Sequence, residues 1–290
     1  MLDEASYSYK RKHLKLNIPK INSSFSNLKT SSQRFEDHCF GGTYYGVSSK
    51  KGLRPTMQDS YCVIANSSVP SFGVYDGHLN SRASSFAAKN LQSLVSTFSQ
   101  ESLIRAFKLT DSAFCNEYSE GGTTAGVLLV QEGWLLAANV GDTGILLVSS
   151  YGEEFLSQAH KPQSLQERAY IESRKGFITQ EGSVHRVNGV LAVTRCIGNP
   201  QLKPVVHCYP FVQKKELGKE DLVAVIASDG LFSKVAGQDV GDFVRKYKEL
   251  AMKDLAEALV QEAIKRGSRD NITIITVDLL QFLKMEQEFS

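Results

Sequence analysis

The chain has 290 residues, 42% of them apolar and 22% charged, with a formal net charge of +2. A chain of ~300 residues buries about three quarters of its unfolded surface and so builds a core unaided; this composition excludes a collagen, a coiled coil and wholesale disorder. The small net charge gives no electrostatic case for a nucleic-acid partner. Residues 1–40 differ from the rest. They carry Lys10, Arg11, Lys12, Lys15, Lys20, Lys29 and Arg34 against Asp3, Glu4, Glu36 and Asp37, which predicts a basic, flexible tail. Within it Lys10-Arg11-Lys12-His13 reads as a solvated cluster or as a nuclear address or docking patch. From residue 41 to about 283 the chain reads as one domain, with a short tail over 284–290. Tyr44–Val47, Tyr61–Ile64 and Val69–Tyr75 are predicted strands. Residues 83–98 carry Phe86, Ala87, Leu91, Leu94, Val95 and Phe98 at helical spacing, and 101–118 repeat the pattern. Strands are predicted at Thr123–Val130, Trp134–Val140 and Ile145–Ser149, with Glu132-Gly133 as a tight hairpin turn. A helix over 163–175 stops at Gly176. Gly189–Thr194 and Leu222–Ala227 read as strands, 238–248 and 254–266 as helices. Ile272–Leu279 is apolar throughout and predicts a strand buried on both faces.

Strands cluster in this order rather than alternating with helices. That predicts an α+β fold, a sheet-on-sheet core with helices packed outside, and argues against a doubly wound parallel sheet. The cysteines at 39, 62, 115, 196 and 208 are odd in number and lack zinc-ligand spacing, which reads as reduced thiols in an intracellular protein. No apolar run approaches the ~20 residues of a membrane span, and the N-terminus has no apolar signal core. The expectation is a monomer of the cytosol or the nucleus, with no membrane or nucleic-acid partner.

Five carboxylates stand at predicted strand ends: Asp59, Asp76, Asp142, Asp229 and Asp270. Carboxylates brought together at a sheet edge repel unless a cation sits between them. Such hard oxygen ligands suit Mg²⁺ or Mn²⁺, and no Cys/His set for zinc accompanies them. Asp-Gly pairs are also ordinary turns, so spacing leaves convergence open.

The motif order resembles the metal-dependent protein phosphatase family, the type 2C Ser/Thr phosphatases. Arg54-Pro-Thr-Met-Gln-Asp59 is similar to its R-x-x-M/N-E/Q-D, and Phe72-Gly-Val-Tyr-Asp76-Gly-His78 to F-G-V-F-D-G-H. Gly122-Thr-Thr-Ala125, Ala138-Asn-Val-Gly-Asp142 and His160-Lys-Pro162 resemble further family motifs. So do the stretch from Arg186 to Gly198, Ala227-Ser-Asp229-Gly-Leu-Phe232 and Asp270-Asn-Ile-Thr273. The resemblance implies a four-layer αββα sandwich: two antiparallel sheets flanked by helices on both faces. It implies two Mn²⁺ or Mg²⁺ ions at one edge. Asp76 would bridge them, Asp229 and Asp270 would complete the first metal's protein ligands, and the Gly77 carbonyl would bind the second. Asp59 would hold metal-bound water or the second ion. A hydroxide between the ions would attack phosphoserine or phosphothreonine in a protein substrate directly. Arg54 would offer a bidentate fork for phosphate oxygens, and His78 would protonate the leaving alkoxide.

The sequence departs from the pattern around this set. Gln58 stands where many members have a metal-bound Glu, Leu79-Asn80 replace Gly-Gly, and Asn199 and Ser233 each stand in place of Asp. Ala159 and Gly144 stand in place of Asp and Arg. The third, weaker family site, built on Asp142 and Asp229 with the missing Asp at 233, is expected to be weak or absent. Two readings remain open: an active phosphatase, or a catalytically weak or inactive pseudophosphatase that acts as a binding module.

Overall fold

The structure, a computed structural model, describes residues 37–289; the cluster Lys10–His13 and the rest of 1–36 lie outside the described residues. In chain order the elements begin with β1 (His38–Gly41), β2 (Tyr45–Lys50), β3 (Asp59–Ile64), β4 (Ser71–His78), α1 (Arg82–Asn90) and α2 (Gln100–Glu117). Next come β5 (Gly122–Thr123), β6 (Ala125–Gln131), β7 (Trp134–Val140), β8 (Gly144–Ser149), β9 (Glu153–Phe155), α3 (Leu165–Ser173), β10 (Ile178–Glu181), β11 (Val184–Val187) and β12 (Ile197–Gly198). The remaining elements are β13 (Phe211–Glu216), β14 (Asp221–Ala227), α4 (Asp229–Phe232), α5 (Gly237–Lys246), α6 (Met252–Lys265), β15 (Ile272–Asp278) and α7 (Leu279–Phe289).

Two antiparallel sheets face each other. One runs β1-β2-β15-β14-β8-β9. In the other, β4 pairs with β3 along one edge, with β6 along the other and with β5 at its C-terminal end; β7 and β13 extend the sheet beyond β6. Side chains alternate across a strand, and both faces are apolar. In β8, Ile145 and Leu147 point into the core between the sheets, while Leu146 and Val148 point outward under α5 and α6. In the second sheet, Phe72, Val74, Leu128 and Val130 fill the same inner core. Its outer face, with Tyr75, Val127 and Leu129, is covered by Ala87 of α1, by Leu91 just after it, and by Leu103 and Phe107 of α2. The result is the four-layer helix–sheet–sheet–helix sandwich that the family resemblance implied. Among the described residues no helix is long and apolar enough to cross a membrane.

The turn at Glu132-Gly133 has positive φ at both residues (49° and 74°), as a primed hairpin turn requires. Several expectations are corrected. Gly189–Thr194 forms no strand. Leu191 and Val193 fill a satellite core with Ile171, Val187, Cys196 and Val206, so apolar alternation there reflects a buried loop. A small hairpin, β10 on β11, precedes it. The helix expected over 83–98 ends at Asn90, followed by a 3₁₀ turn at Gln92–Leu94. Strand β1 begins inside the segment 1–40 set apart as a tail and pairs with β2. Helix α7 continues directly from β15 and runs to Phe289, into the segment expected as a tail over 284–290; Leu279 and Phe282 insert into the inner core.

Candidate active site

Register gathers the predicted carboxylates. Asp59 opens β3 directly opposite Asp76 near the end of β4. In the facing sheet, the end of β14 at Ala227 pairs with Ile274 of β15 and with Gly144 of β8. Asp229, Asp270 and Asp142 therefore flank one common end of three adjacent strands. A direct link joins the sheets there: the Ser228 hydroxyl donates to Asp59 Oδ2 at 2.8 Å. Across the mouth, Arg54 Nη2 donates to Asp270 Oδ2 at 2.6 Å. Lys161 is ion-paired with Asp142.

Burial and crowding raise the acidities' midpoints. Asp59 is pushed up to about 7 by burial, which the Ser228 hydroxyl opposes and the charges of Asp229 and Asp270 reinforce. Asp76 lies well above the usual carboxylate range, first through burial and then through Asp59, Asp229, Asp142 and Asp270. Asp229 is pushed up to about 6, by burial and by Asp142 and Asp270. Asp59 Oδ1 is buried without a hydrogen-bond partner. An orphaned carboxylate oxygen among mutually repelling carboxylates fits a hard divalent cation. As the side chains stand, no three His, Cys, Asp or Glu among the described residues are gathered closely enough to hold an ion. The donor chemistry fits; a closed coordination shell is not preformed.

His78 meets Asn199, with Nε2 2.5 Å from Oδ1. Burial lowers the imidazole below its ordinary value. Asn199 sits in the left-handed region (φ 53°), which Asn tolerates better than most residues. Other departures from the family pattern also find partners. Asn80 Oδ1 accepts from the Arg82 N–H at 3.0 Å at the start of α1. Leu79 holds φ at 73° with 66% of its surface exposed, a conformation that strains a residue bearing Cβ. A Cβ at Gly144 would lie 2.5 Å from the Phe232 ring, so the missing side chain there is matched by that aromatic group. The backbone of Gln58 donates to Asn271 Oδ1 at 2.7 Å, and its carbonyl accepts from Gly77 N–H (3.2 Å) and the Ser84 hydroxyl (2.5 Å).

Three supporting residues carry no role in the sequence reading. The Asn271 amide donates to the carbonyls of Lys51 and Thr56, at 2.8 and 3.1 Å, fixing the loop that carries Arg54. Ser228 holds Asp59. Buried Glu167 accepts from Thr194 (2.5 Å) and from Arg195 Nη2 (2.5 Å), pinning the segment that leads to Asn199. Ser228 and Asn271 each directly precede or follow a strand-end Asp, which was the available signal; Glu167 left none.

Solved structures share the fold. A serine-threonine phosphatase 2C from Toxoplasma gondii superposes with TM-score 0.70 at 18% identity, covering 86% of this chain and 98% of that one. A C. elegans sex-determining protein gives TM-score 0.75 at 22% identity over 83% of this chain and 65% of that one. At those identities the likeness speaks for the fold, a type 2C phosphatase sandwich. The sequence goes further: the family model for Protein phosphatase 2C matches residues 43–272. Two Arabidopsis thaliana relatives are Probable protein phosphatase 2C 11 and Probable protein phosphatase 2C 25. The first is 36% identical, over 80% of this chain and 66% of its own length. The second is 32% identical, over 92% and 72%. The chain belongs to the protein phosphatase 2C family, and it spans about two thirds of the length of these relatives.

Proposed function

We propose that this chain is a metal-dependent protein Ser/Thr phosphatase, acting as a monomer on phosphorylated proteins of the cytosol or nucleus. The observation that carries the reading is the buried carboxylate set Asp59, Asp76 and Asp229, with midpoints raised, beside Asp270 and an exposed Arg54. Asp76, Asp229, Asp270, the Gly77 carbonyl and Asp59 would hold two Mn²⁺ or Mg²⁺ ions, with Asp142 at a weak third position. When bound, the ions make a water nucleophilic at neutral pH and offset charge on the phosphate.

The chain's own groups do the rest. Arg54 spends one N–H on Asp270; a guanidinium has five, so donors remain for two phosphate oxygens. Nε2 of His78 donates to Asn199 Oδ1, so a proton for the leaving alkoxide would be carried on Nδ1 by the imidazolium, the form that burial disfavours. The link from Asn271 to the Lys51 and Thr56 carbonyls keeps Arg54 at the mouth.

A second reading, a pseudophosphatase that binds without turnover, is favoured by the contact of Arg54 with Asp270, which occupies part of the guanidinium that would bind phosphate. Hydrolysis of p-nitrophenyl phosphate and a phosphothreonine peptide separates the two. Turnover that requires Mn²⁺ or Mg²⁺, stops with chelator and is lost in Asp76→Asn supports the enzyme. Arg54→Lys should then lower kcat/KM by on the order of tenfold or more, because Lys cannot form the fork. Folded protein without turnover at saturating Mn²⁺ supports the binding module.

A further inference from the structure

Adjoining the acidic end, and sharing Arg54 and Asp270 with it, lies a groove of about 250 Å³ that is also lined by Ser233, Lys234, Ser268 and Arg269 with Gly267 at its edge. Its charge is opposite to that of the carboxylate set. Arg54 and Asp270 neutralise each other at 2.6 Å. Lys234 and Arg269 are exposed, and neither makes an ion pair with a carboxylate among the described residues. The groove thus presents two uncompensated cations at the mouth of the site, next to the residue placed to hold the substrate phosphate.

The backbone under these cations is fixed. Lys234 follows α4, with its N–H on the Leu231 carbonyl at 3.0 Å. Arg269 follows the α6 stop, where Gly267 takes φ 87° and the Ser268 N–H returns to the Ala263 carbonyl at 2.9 Å. The two segments are stapled together: buried Ser268 donates its hydroxyl to the Gly230 carbonyl at 2.7 Å. A Cβ at Gly267 would meet nothing within 4 Å, so that edge stays open. Ser233, which stands where the family pattern carries Asp, leaves a neutral hydroxyl in the groove. An Asp there would partly cancel the two cations.

We propose that this groove is a second anion subsite. It takes a phosphorylated or carboxylate side chain flanking the target phosphoresidue, so the chain favours multiply phosphorylated or acidic protein segments. This deepens the phosphatase reading and rests on it for the turnover arm below, but not for the binding arm. Charge-assisted hydrogen bonds to phosphate from two cations are the interactions gained. They are screened by salt because the groove is open.

The test compares four peptides: a phosphothreonine peptide with Ala, Glu or phosphoserine within a few residues of the target, and an unphosphorylated control. Anisotropy in chelator, where turnover is blocked, should show the doubly phosphorylated peptide binding on the order of tenfold more tightly than the Ala peptide. The double variant Lys234→Ala/Arg269→Ala should bring that ratio to about one and leave turnover of p-nitrophenyl phosphate unchanged. The ratio should also fall toward one at ~1 M salt, where the screening length is ~3 Å. A Glu peptide that matches the phosphoserine peptide identifies a general acidic preference; a Glu peptide that matches Ala identifies a second phosphate. Equal affinities in the native chain, or a ratio retained in the double variant, overturn the subsite. An affinity ratio without turnover under any metal leaves the subsite standing and removes the phosphatase reading. Turnover without a ratio does the reverse.

Discussion

Asp59→Asn should stabilise the metal-free protein near neutral pH, although it removes a candidate ligand. In the folded chain this carboxyl titrates at about 7, against 3.8 for an ordinary Asp, with burial as the first cause. The folded state therefore binds its proton more tightly than the unfolded state. Stability linked to that proton is complete below pH ~4 and is lost as pH rises through about 7. Three units at ~1.36 kcal/mol each set a ceiling of ~4 kcal/mol. Asn keeps an acceptor for the Ser228 hydroxyl, now at 2.8 Å, and carries no charge to bury, so most of the ceiling should appear. Urea unfolding in chelator, from pH ~4 to ~8, reads the difference between variant and native protein. That difference should start near zero, climb through the acid range and level off above pH ~7 at about 2–4 kcal/mol in the variant's favour. If the proposed two-metal site forms, saturating Mn²⁺ should reverse the ranking, since only the native chain keeps all of its candidate ligands. A difference flat with pH, or a variant less stable at pH ~8 in chelator, would refute the reasoning.

Three further outcomes can be checked. Glu167→Gln should cost about 3 kcal/mol in urea unfolding, because Arg195, 15% exposed, loses the charge it lies against; a loss under ~1 kcal/mol would count against a structural role for the pair. Leu79→Gly should raise stability by up to ~1 kcal/mol, the relief of left-handed strain less the added freedom of the unfolded chain, and a clear loss would show that Leu79 makes contacts outweighing its φ. Burial and the Arg195 charge push the His160 imidazole down to about 4. The folded state then binds fewer protons than the unfolded one, and stability falls as pH drops from ~6.5 toward 4. An NMR titration midpoint at or above 6.5 for that ring would overturn this.

What the sequence revealed follows the strength of local signals. Trp134–Val140 and the apolar Ile272–Asp278 stand out because both faces are buried, one flanked by β6 and β13, the other by β2 and β14. Phe211–Glu216 gives no strand signal in the sequence because it is an edge strand bearing Lys214, Lys215 and Glu216, residues that protect an exposed edge and erase the alternation. Helix α7 was hidden because no turn residue separates it from β15. Each Asp of the site was legible as a strand-end carboxylate. Their convergence was not, since pairings such as Asp59 with Asp76 are set by register across the sheet. The uncompensated cations of the groove lie on loops joined by Ser268 and Gly230, a contact spanning 38 residues that no local pattern announces.

The place of β15 between β2 and β14 bears on synthesis as well as on the finished molecule. Its residues 272–278 are among the last of the fold to leave the ribosome, and Asp270 stands two residues before them. Until they emerge, β2 and β14 each lack a neighbour, and two unpaired strand edges face whatever the cell presents. A nascent chain holding every earlier motif would be both incomplete as a site and prone to pair wrongly. Chaperone occupancy during translation should therefore persist until this strand is released.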